Sequence, residues 1–425
     1  MIDLKLFRQD PEGTRAALER RGDGAVSGVL AELLDTDRRW RGLVAETEKL
    51  KAERNAQSEE VARRKRNREP ADALLEELRA SGDRAKGLEA ETRELDGRLQ
   101  ETLLQIPNVP HPAAPTGGAD ANRVVRTWGD AAPVGGSRPH WETGEALRLF
   151  DLPRGAKLSG SGFPVFTGQG ARLVRALAGF MLDLHTREHG YLEIAPPYLV
   201  TRASLVGTGQ LPKFEDDLYH ATADDLFLIP TAEVPVTNLH RDEILDAGAL
   251  PARFVAYTPC FRREAGAHGK DTRGLLRVHQ FDKVELVRLC RPEDSDAEHE
   301  LLTGHAETVL QRLELAYRVV ELATGDTGFS AARTYDLEVW APGVGTWLEC
   351  SSSSTFTDFQ ARRANIRFRR EPGAKPEFVH TLNASGVAFA RTIAALLETH
   401  QQADGSVRVP GALAPYLGTD RLTAG

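Results

Sequence analysis

Between about Ala25 and Gln105 the apolar residues fall on two seams separated by a polar break. The first seam runs Leu33, Trp40, Leu43, Leu50 and Val61. The second runs Leu74, Leu78, Ala85, Leu88, Leu95, Leu99 and Ile106, in steps of three, four and seven. Steps of that size place one apolar stripe along a helix. Arg66-Asn-Arg-Glu-Pro70 interrupts them, and a helix does not cross a proline smoothly. The pattern therefore predicts two long helices, joined near Pro70 and packed antiparallel along their seams as a coiled coil. A helix of some forty residues is about 60 Å long, more than a compact domain needs, so the hairpin is expected to project. Arg54 and Gln57 weaken the seam near its tip, and the tip is expected to be mobile.

Proline and glycine then crowd the chain from Ile106 to Gly118, a composition expected of a linker. The expected division is an arm over 1–105, a linker over 106–135 and a larger domain of mixed helices and strands over 136–425. Within that domain, Leu173, Leu177, Phe180, Met181 and Leu184 lie on one side of a predicted helix over 170–189. A strand is expected over 191–200, although it holds Pro196-Pro197 and so belongs at a sheet edge or a break. Two strands rich in Val, Phe, Leu and Tyr are expected at 252–264 and 275–289. Alternation puts Arg262 and Glu264 on one face, and Phe281, Lys283 and Glu285 on one face. The loop between, Ala265 to Gly274, is glycine-rich and cationic, as a phosphate-binding loop would be.

Composition narrows the classes. The 425 residues carry a net charge of −8, so the chain as a whole is no basic nucleic-acid coat, and RNA contact needs a local cationic patch. Arg63-Arg-Lys-Arg66, at the expected tip of the arm, is such a patch. Cys260, Cys290 and Cys350 form no closely spaced pair, which suits a reducing cytoplasm and argues against a sulfur-rich zinc site. The N-terminus lacks an apolar run of signal-peptide length, and no segment approaches a membrane span. The expectation is a cytoplasmic protein with no membrane partner.

Phe261-Arg-Arg-Glu-Ala-Gly266, followed by Asp271-Thr-Arg-Gly-Leu-Leu-Arg-Val-His-Gln-Phe-Asp-Lys-Val-Glu285, resembles the second signature motif of class II aminoacyl-tRNA synthetases, in the form used by seryl-tRNA synthetases. The likeness extends from the N-terminus to about Tyr416. It includes Ile106-Pro-Asn-Val-Pro-His-Pro112, Arg138-Pro-His-Trp-Glu142 and Lys157-Leu-Ser-Gly-Ser161. The 170–200 segment, with Pro197, resembles the first class II motif, which forms the dimer interface. The resemblance implies an α+β fold, with a coiled-coil arm on a class II catalytic domain built on a mainly antiparallel sheet flanked by helices. It implies a homodimer that joins L-serine to tRNA(Ser), and to tRNA(Sec) where one exists, by way of ATP and seryl-adenylate.

Residue roles follow by the same resemblance. Arg262 and Arg391 are the catalytic pair: Arg262 on the α-phosphate, and Arg391, in the third motif, over the adenine and on the γ-phosphate. Glu264 accepts from the adenine amino group and Phe281 stacks on the ring. Arg263, Glu349, Cys350, Ser351 and Ser352 complete the ATP set, with Glu349 and Ser352 as hard oxygen ligands for Mg²⁺. The serine site comprises Thr231, Ala232, Glu233, Glu285, Asn383 and Ser385, with Glu285 on the substrate ammonium. Arg63, Arg64, Lys65 and Arg66 grip tRNA phosphates. Structural zinc is not expected. Ala384 and Ala390 stand where the family commonly has glycine, and Thr355 where it often has asparagine. Two other readings differ in class. A paralogue that loads a carrier protein has no use for the arm, and a non-catalytic scaffold has no use for Arg262, Glu264, Glu349 and Arg391.

Overall fold

The computed structural model describes residues 1–131, 136–265 and 273–424. Two compact units emerge. One comprises Leu4–Glu19 and Asp23–Pro107; the other comprises Met1–Asp3, Arg20–Gly22 and Asn108–Gly425.

The first unit is dominated by α1 (Ala25–Arg66) and α2 (Asp72–Gln105). Between them Arg68 adopts φ 59°, and the chain reverses just before Pro70. Leu30, Leu33, Ala85, Leu95, Leu99 and Leu103 are buried, while Leu43, Leu50, Leu74 and Leu78 are only half-buried. Four ion pairs bridge the helices among the described residues: Lys51–Glu89 (2.8 Å), and three at steps of seven, Glu32–Arg98 (3.3 Å), Arg39–Glu91 (3.9 Å) and Glu46–Arg84 (2.5 Å). Each is worth little alone, about 0.2–1 kcal/mol, but their spacing marks an antiparallel register. At the seam position Arg54, the guanidinium lies against Gly82 (a Cβ there would stand 3.6 Å away), and Nε has no hydrogen-bond partner.

The second unit is built on an eight-stranded sheet. Its strands are β1 (Arg123–Trp128), β2 (Leu192–Glu193), β3 (Ala252–Phe261), β4 (Gln280–Cys290), β5 (Tyr317–Glu321), β6 (Arg333–Ala341), β7 (Thr346–Thr357) and β8 (His380–Ala388). They lie in the order β1-β5-β6-β7-β8-β4-β3-β2, antiparallel throughout except for β2 on β3. Helices α3 (Gln169–Arg187), α4 (Ser295–Arg312) and α5 (Phe389–Thr399) pack on it. The expected stripe Leu173, Leu177, Phe180, Met181 and Leu184 joins Val284, Leu286, Leu337 and Leu382 in this core. Burying each such side chain contributes about 1.5–3 kcal/mol.

Alternation along β4 sorts the faces. Val284 and Leu286 point into the helix-covered core, while Val287 and Leu289 join a second cluster with Ala232, Ala361 and Phe368. Part of the stretch 106–135 is regular: Arg123–Trp128 forms β1, paired to β5. From Asn108 the proline-rich stretch is bonded to the second unit, with Asn108 N–H donating to Phe329 O (2.9 Å) and His111 N–H to Ala332 O (2.8 Å).

Three strand expectations need correction. The strand expected over 191–200 is two short ones, β2 in the main sheet and Leu199–Thr201 in a small sheet with Leu226–Leu228. Pro196 and Pro197 have no N–H to donate, so the ladder breaks between them. β3 ends at Phe261 rather than at residue 264: Arg263 N–H donates to Asp217 O (2.9 Å) instead of to β4, and Glu264 adopts φ 52°. β4 begins at Gln280 rather than at residue 275.

Candidate active site

A cavity of about 380 Å³ opens on the sheet. β4 supplies Phe281, Lys283 and Glu285, which share its open face. β8 supplies Asn383 and Ser385, β7 supplies Glu349, Cys350, Ser351 and Ser352, and α5 supplies Arg391 from its first turn. Arg262 and Glu264 enter from just beyond β3. Thr231 and Glu233 come from the turn that starts the short helix Glu233–Thr237. The sequence-predicted residues are therefore gathered in one place, with three exceptions. Arg263 lines the adjoining cavity with Phe163, Arg277 and His279. Ala232 is fully buried behind the wall, packed with Val236 and Ala256. The four arm cations belong to the other unit.

One end of the cavity is cationic. The Arg262 guanidinium lies 5.3 Å over the Phe281 ring, a cation–π contact, and its Nε–H donates to Pro230 O (3.3 Å). Arg391 donates to Glu349 O (2.7 Å), pairs with the Glu349 carboxylate (3.3 Å) and reaches Leu276 O (3.2 Å). Glu264 pairs with Arg277. Buried His140 helps fix this wall: Leu275 N–H donates to His140 Nε2 (3.0 Å), while Nδ1 faces Glu398 Oε1 at 2.7 Å. Of the loop expected to bind phosphate, only Ala265, Arg273 and Gly274 are among the described residues; 266–272 lie outside them.

Beside Glu349, in register with Ser352, stands Asp336 on β6. Its Oδ1 is shut off from solvent and has no hydrogen-bond partner. Burial, then the charge of Glu349, pushes its carboxyl well above the usual range. Two crowded carboxylates and a serine hydroxyl form a hard oxygen donor set.

The other end is buried and polar. Glu285 is 1% exposed. It forms an ion pair with Lys283 and accepts from Thr231 Oγ1 (3.2 Å) and Asn383 Nδ2 (3.1 Å). Lys283 also donates to Thr231 Oγ1 (2.9 Å). Burial raises the Glu285 carboxyl, and Lys283 opposes the rise. Glu233 has no such cation in contact. Burial first, and the charge of Glu285 second, push its carboxyl up to about 7. Its Oε1 accepts from Gln360 Nε2 (2.6 Å).

Sequence reasoning placed Lys283 on the right face but gave it no role, and it gave none to Gln360 or Asp336. For Lys283 the signal was present, since a cation two residues from a same-face carboxylate is its natural partner. Gln360 had only its place in Asp358-Phe-Gln-Ala-Arg-Arg363. At the three departures from family habit the backbone is ordinary: Ala384 lies in β8, Ala390 in α5 and Thr355 in β7, none at positive φ.

Comparison with known proteins agrees with this geometry. Residues 1–110 match the seryl-tRNA synthetase N-terminal domain, and residues 213–400 the class II tRNA synthetase core domain of the G, H, P, S and T enzymes. The chain is 58% identical to the serine–tRNA ligase of Gemmatimonas aurantiaca and 55% identical to that of Geobacter sulfurreducens. Each alignment covers 98% of this chain and 99% of the relative. The crystal structure of the seryl-tRNA synthetase from Pyrococcus horikoshii complexed with ATP superposes with a TM-score of 0.96 at 40% identity, over 100% of both chains. From arm to cavity, this chain belongs to the seryl-tRNA synthetase family.

Proposed function

We propose that the chain is a serine–tRNA ligase. It activates L-serine with ATP to seryl-adenylate and pyrophosphate, then passes the seryl group to the 3′ end of tRNA(Ser), and of tRNA(Sec) where one exists. The observation that carries the reading is the two-ended cavity. Arginines and oxygen donors suited to a triphosphate sit at one end, and a buried carboxylate pair with hydroxyls, suited to a small amino acid, at the other.

The chemistry needs positioning and charge stabilisation rather than a protein nucleophile. The serine ammonium is held by Glu285 and Thr231, which brings its carboxylate toward the phosphate end. Arg262 meets the negative charge that grows on the α-phosphate, since its planar fork pairs two oxygens and stays charged. Phe281 carries the adenine on one face and Arg391 covers the other, with Glu264 on the amino group. Arg263, Cys350 and Ser351 complete the ATP wall. Mg²⁺ fits the Glu349 and Ser352 oxygens, and the unpartnered Asp336 oxygen beside them supports a cation there; the metal supplies charge neutralisation for the phosphates. Ala232 backs Thr231 and Glu233, while Glu233 and Ser385, with Asn383 nearby, read the hydroxyl end of the serine. A site built to bond a hydroxyl rejects analogues lacking one.

Arg63, Arg64, Lys65 and Arg66 hold tRNA phosphates. Their present partners are local: Arg63 and Arg64 pair with Glu60 at 2.7 and 2.8 Å. The chain works as a homodimer in the cytoplasm; Leu192, Tyr198 and Leu199, each at least 45% exposed, leave apolar surface for a second copy. Among the described residues no helix is long and apolar enough to cross a membrane. The test is charging: purified chain with ATP, Mg²⁺, labelled serine and total tRNA should yield acid-precipitable, alkali-labile seryl-tRNA. Absence of that product, with exchange of pyrophosphate intact, would favour another acceptor.

A further inference from the structure

Gln360 belongs to the run Asp358–Arg363. It sits in the short helix Phe359–Ala364 and is fully buried. Every polar atom of its amide is engaged. Nε2 donates to Glu233 Oε1 (2.6 Å) and to Thr208 O (3.1 Å), and Oε1 accepts from Thr381 Oγ1 (2.7 Å). The amide cannot turn over without setting its oxygen against a carboxylate and a carbonyl. Gln360 thus holds one oxygen of Glu233 in a fixed place, and Glu233 lines the cavity beside Thr231 and Glu285. Gln360 itself does not line it.

Thr381 lies on β8, two residues before Asn383 and four before Ser385. Thr208 ends the helix Arg202–Thr208. The amide therefore ties three separated segments to a single carboxyl group. A carboxyl with one oxygen occupied has only the other left for a ligand. Burial with the charge of Glu285 keeps that group near its midpoint at neutral pH, where the remaining oxygen can either accept or donate. Of the charged groups near it, Glu285 raises its affinity for the proton, while Lys283 and Arg262 lower it.

We propose that Gln360 is a positioning residue for substrate choice: by pinning Glu233 Oε1, it aims the second carboxyl oxygen at the substrate's β-hydroxyl. The inference rests on the serine-pocket reading above. Gln360 touches no substrate in this account and acts through Glu233, with Thr381 fixing the amide from behind.

The test compares four variants of the full chain, Gln360→Met, Thr381→Val, Glu233→Ala and the double variant Gln360→Met/Glu233→Ala, by amino-acid-dependent ATP–pyrophosphate exchange. Gln360→Met should raise the serine KM at least tenfold and leave the ATP KM within twofold. It should also cut the preference for serine over alanine about tenfold, since alanine lacks the hydroxyl being read. Thr381→Val, which keeps the shape and loses one hydrogen bond, should shift serine KM the same way by a few-fold. The double variant should be no worse for serine than Glu233→Ala alone, because both changes remove one interaction. Equal loss for serine and ATP in Gln360→Met, or full additivity with Glu233→Ala, would overturn the proposal and leave Gln360 a packing residue. A normal serine KM in Glu233→Ala would instead overturn the pocket reading itself. Thr381→Val keeps the test open if Gln360→Met fails to fold.

Discussion

Lys283 already occupies the carboxylate that a substrate ammonium would need. Both groups of the Lys283–Glu285 pair are almost fully buried, at 5% and 1% exposure. Removing one partner of a buried pair strands the other charge and costs about 3–5 kcal/mol. Glu285→Gln is therefore expected to lose serine binding and stability together, with the ATP KM little changed. Adding Lys283→Met should restore the urea midpoint without restoring serine binding. A Glu285→Gln protein as stable as the parent would contradict the pairing. Glu233 makes a second prediction. Its carboxyl is raised from an ordinary 4.5 to about 7. Below about pH 4.5 it is protonated in folded and unfolded chains alike and contributes no pH dependence. Between 4.5 and 7 the unfolded chain releases its proton while the folded one keeps it, so stability falls as pH rises. Above about 7 the full penalty is present, about 3 kcal/mol. Glu233→Gln should thus be increasingly stabilised relative to the parent from pH 5 to 8, read by denaturant melts; a constant difference would contradict the raised value. At this scale the sequence showed which carboxylates and arginines converge, because they stand in dense motifs. Apart from Lys283 with Glu285, it did not show which groups bond to each other. Lys283 meets Glu285 through side-chain reach along β4, and Gln360 meets Glu233 only when distant segments pack.

Among elements, the arm was the most legible, since a 3.5-residue repeat needs no distant partner to be recognised. The sheet was less so. β3 and β4 were visible as apolar runs, but their ends were not. Beyond Phe261 the chain turns away, with Arg263 bonded to Asp217 and Glu264 at positive φ, and no side-chain pattern announces that. In the arm the charge pattern goes further than the seam. The pairs Glu32–Arg98, Arg39–Glu91 and Glu46–Arg84 step by heptads, and the next rung would set Glu53 against Glu77, two like charges. Polar Arg54 and Gln57 fall in the same stretch, with Arg54 Nε and Gln57 Oε1 unpartnered. Glu77→Arg should extend the ladder and stabilise the outer arm by about 0.2–1 kcal/mol. Slower amide hydrogen exchange in residues 50–80 would show it, and unchanged exchange there would argue that the rung is not formed.

Across the whole molecule the work is divided between the two units. The cavity lies wholly in the unit that contains Asn108–Gly425, and the arm packs along its own seam in the other unit. Replacing Ser27–Gln105 by a short linker should spare serine–ATP exchange within about twofold and strongly weaken tRNA charging, mostly through tRNA affinity. Charging by the armless protein at parental efficiency would reject the arm's assigned role. An arm and a larger unit of mixed helices and strands were readable from periodicity and from the proline- and glycine-rich stretch between them, and the α+β class from the family resemblance. The order of the eight strands was not, because strand pairing is set by long-range packing. The central claim is that the polar end of the cavity selects serine for adenylation, and the most direct measurement is ATP–pyrophosphate exchange by the full chain with each of the twenty amino acids in turn. The account predicts exchange with serine, and kcat/KM at least a hundredfold lower with alanine, glycine and threonine. Exchange driven equally well by alanine, or no exchange with serine, would contradict it.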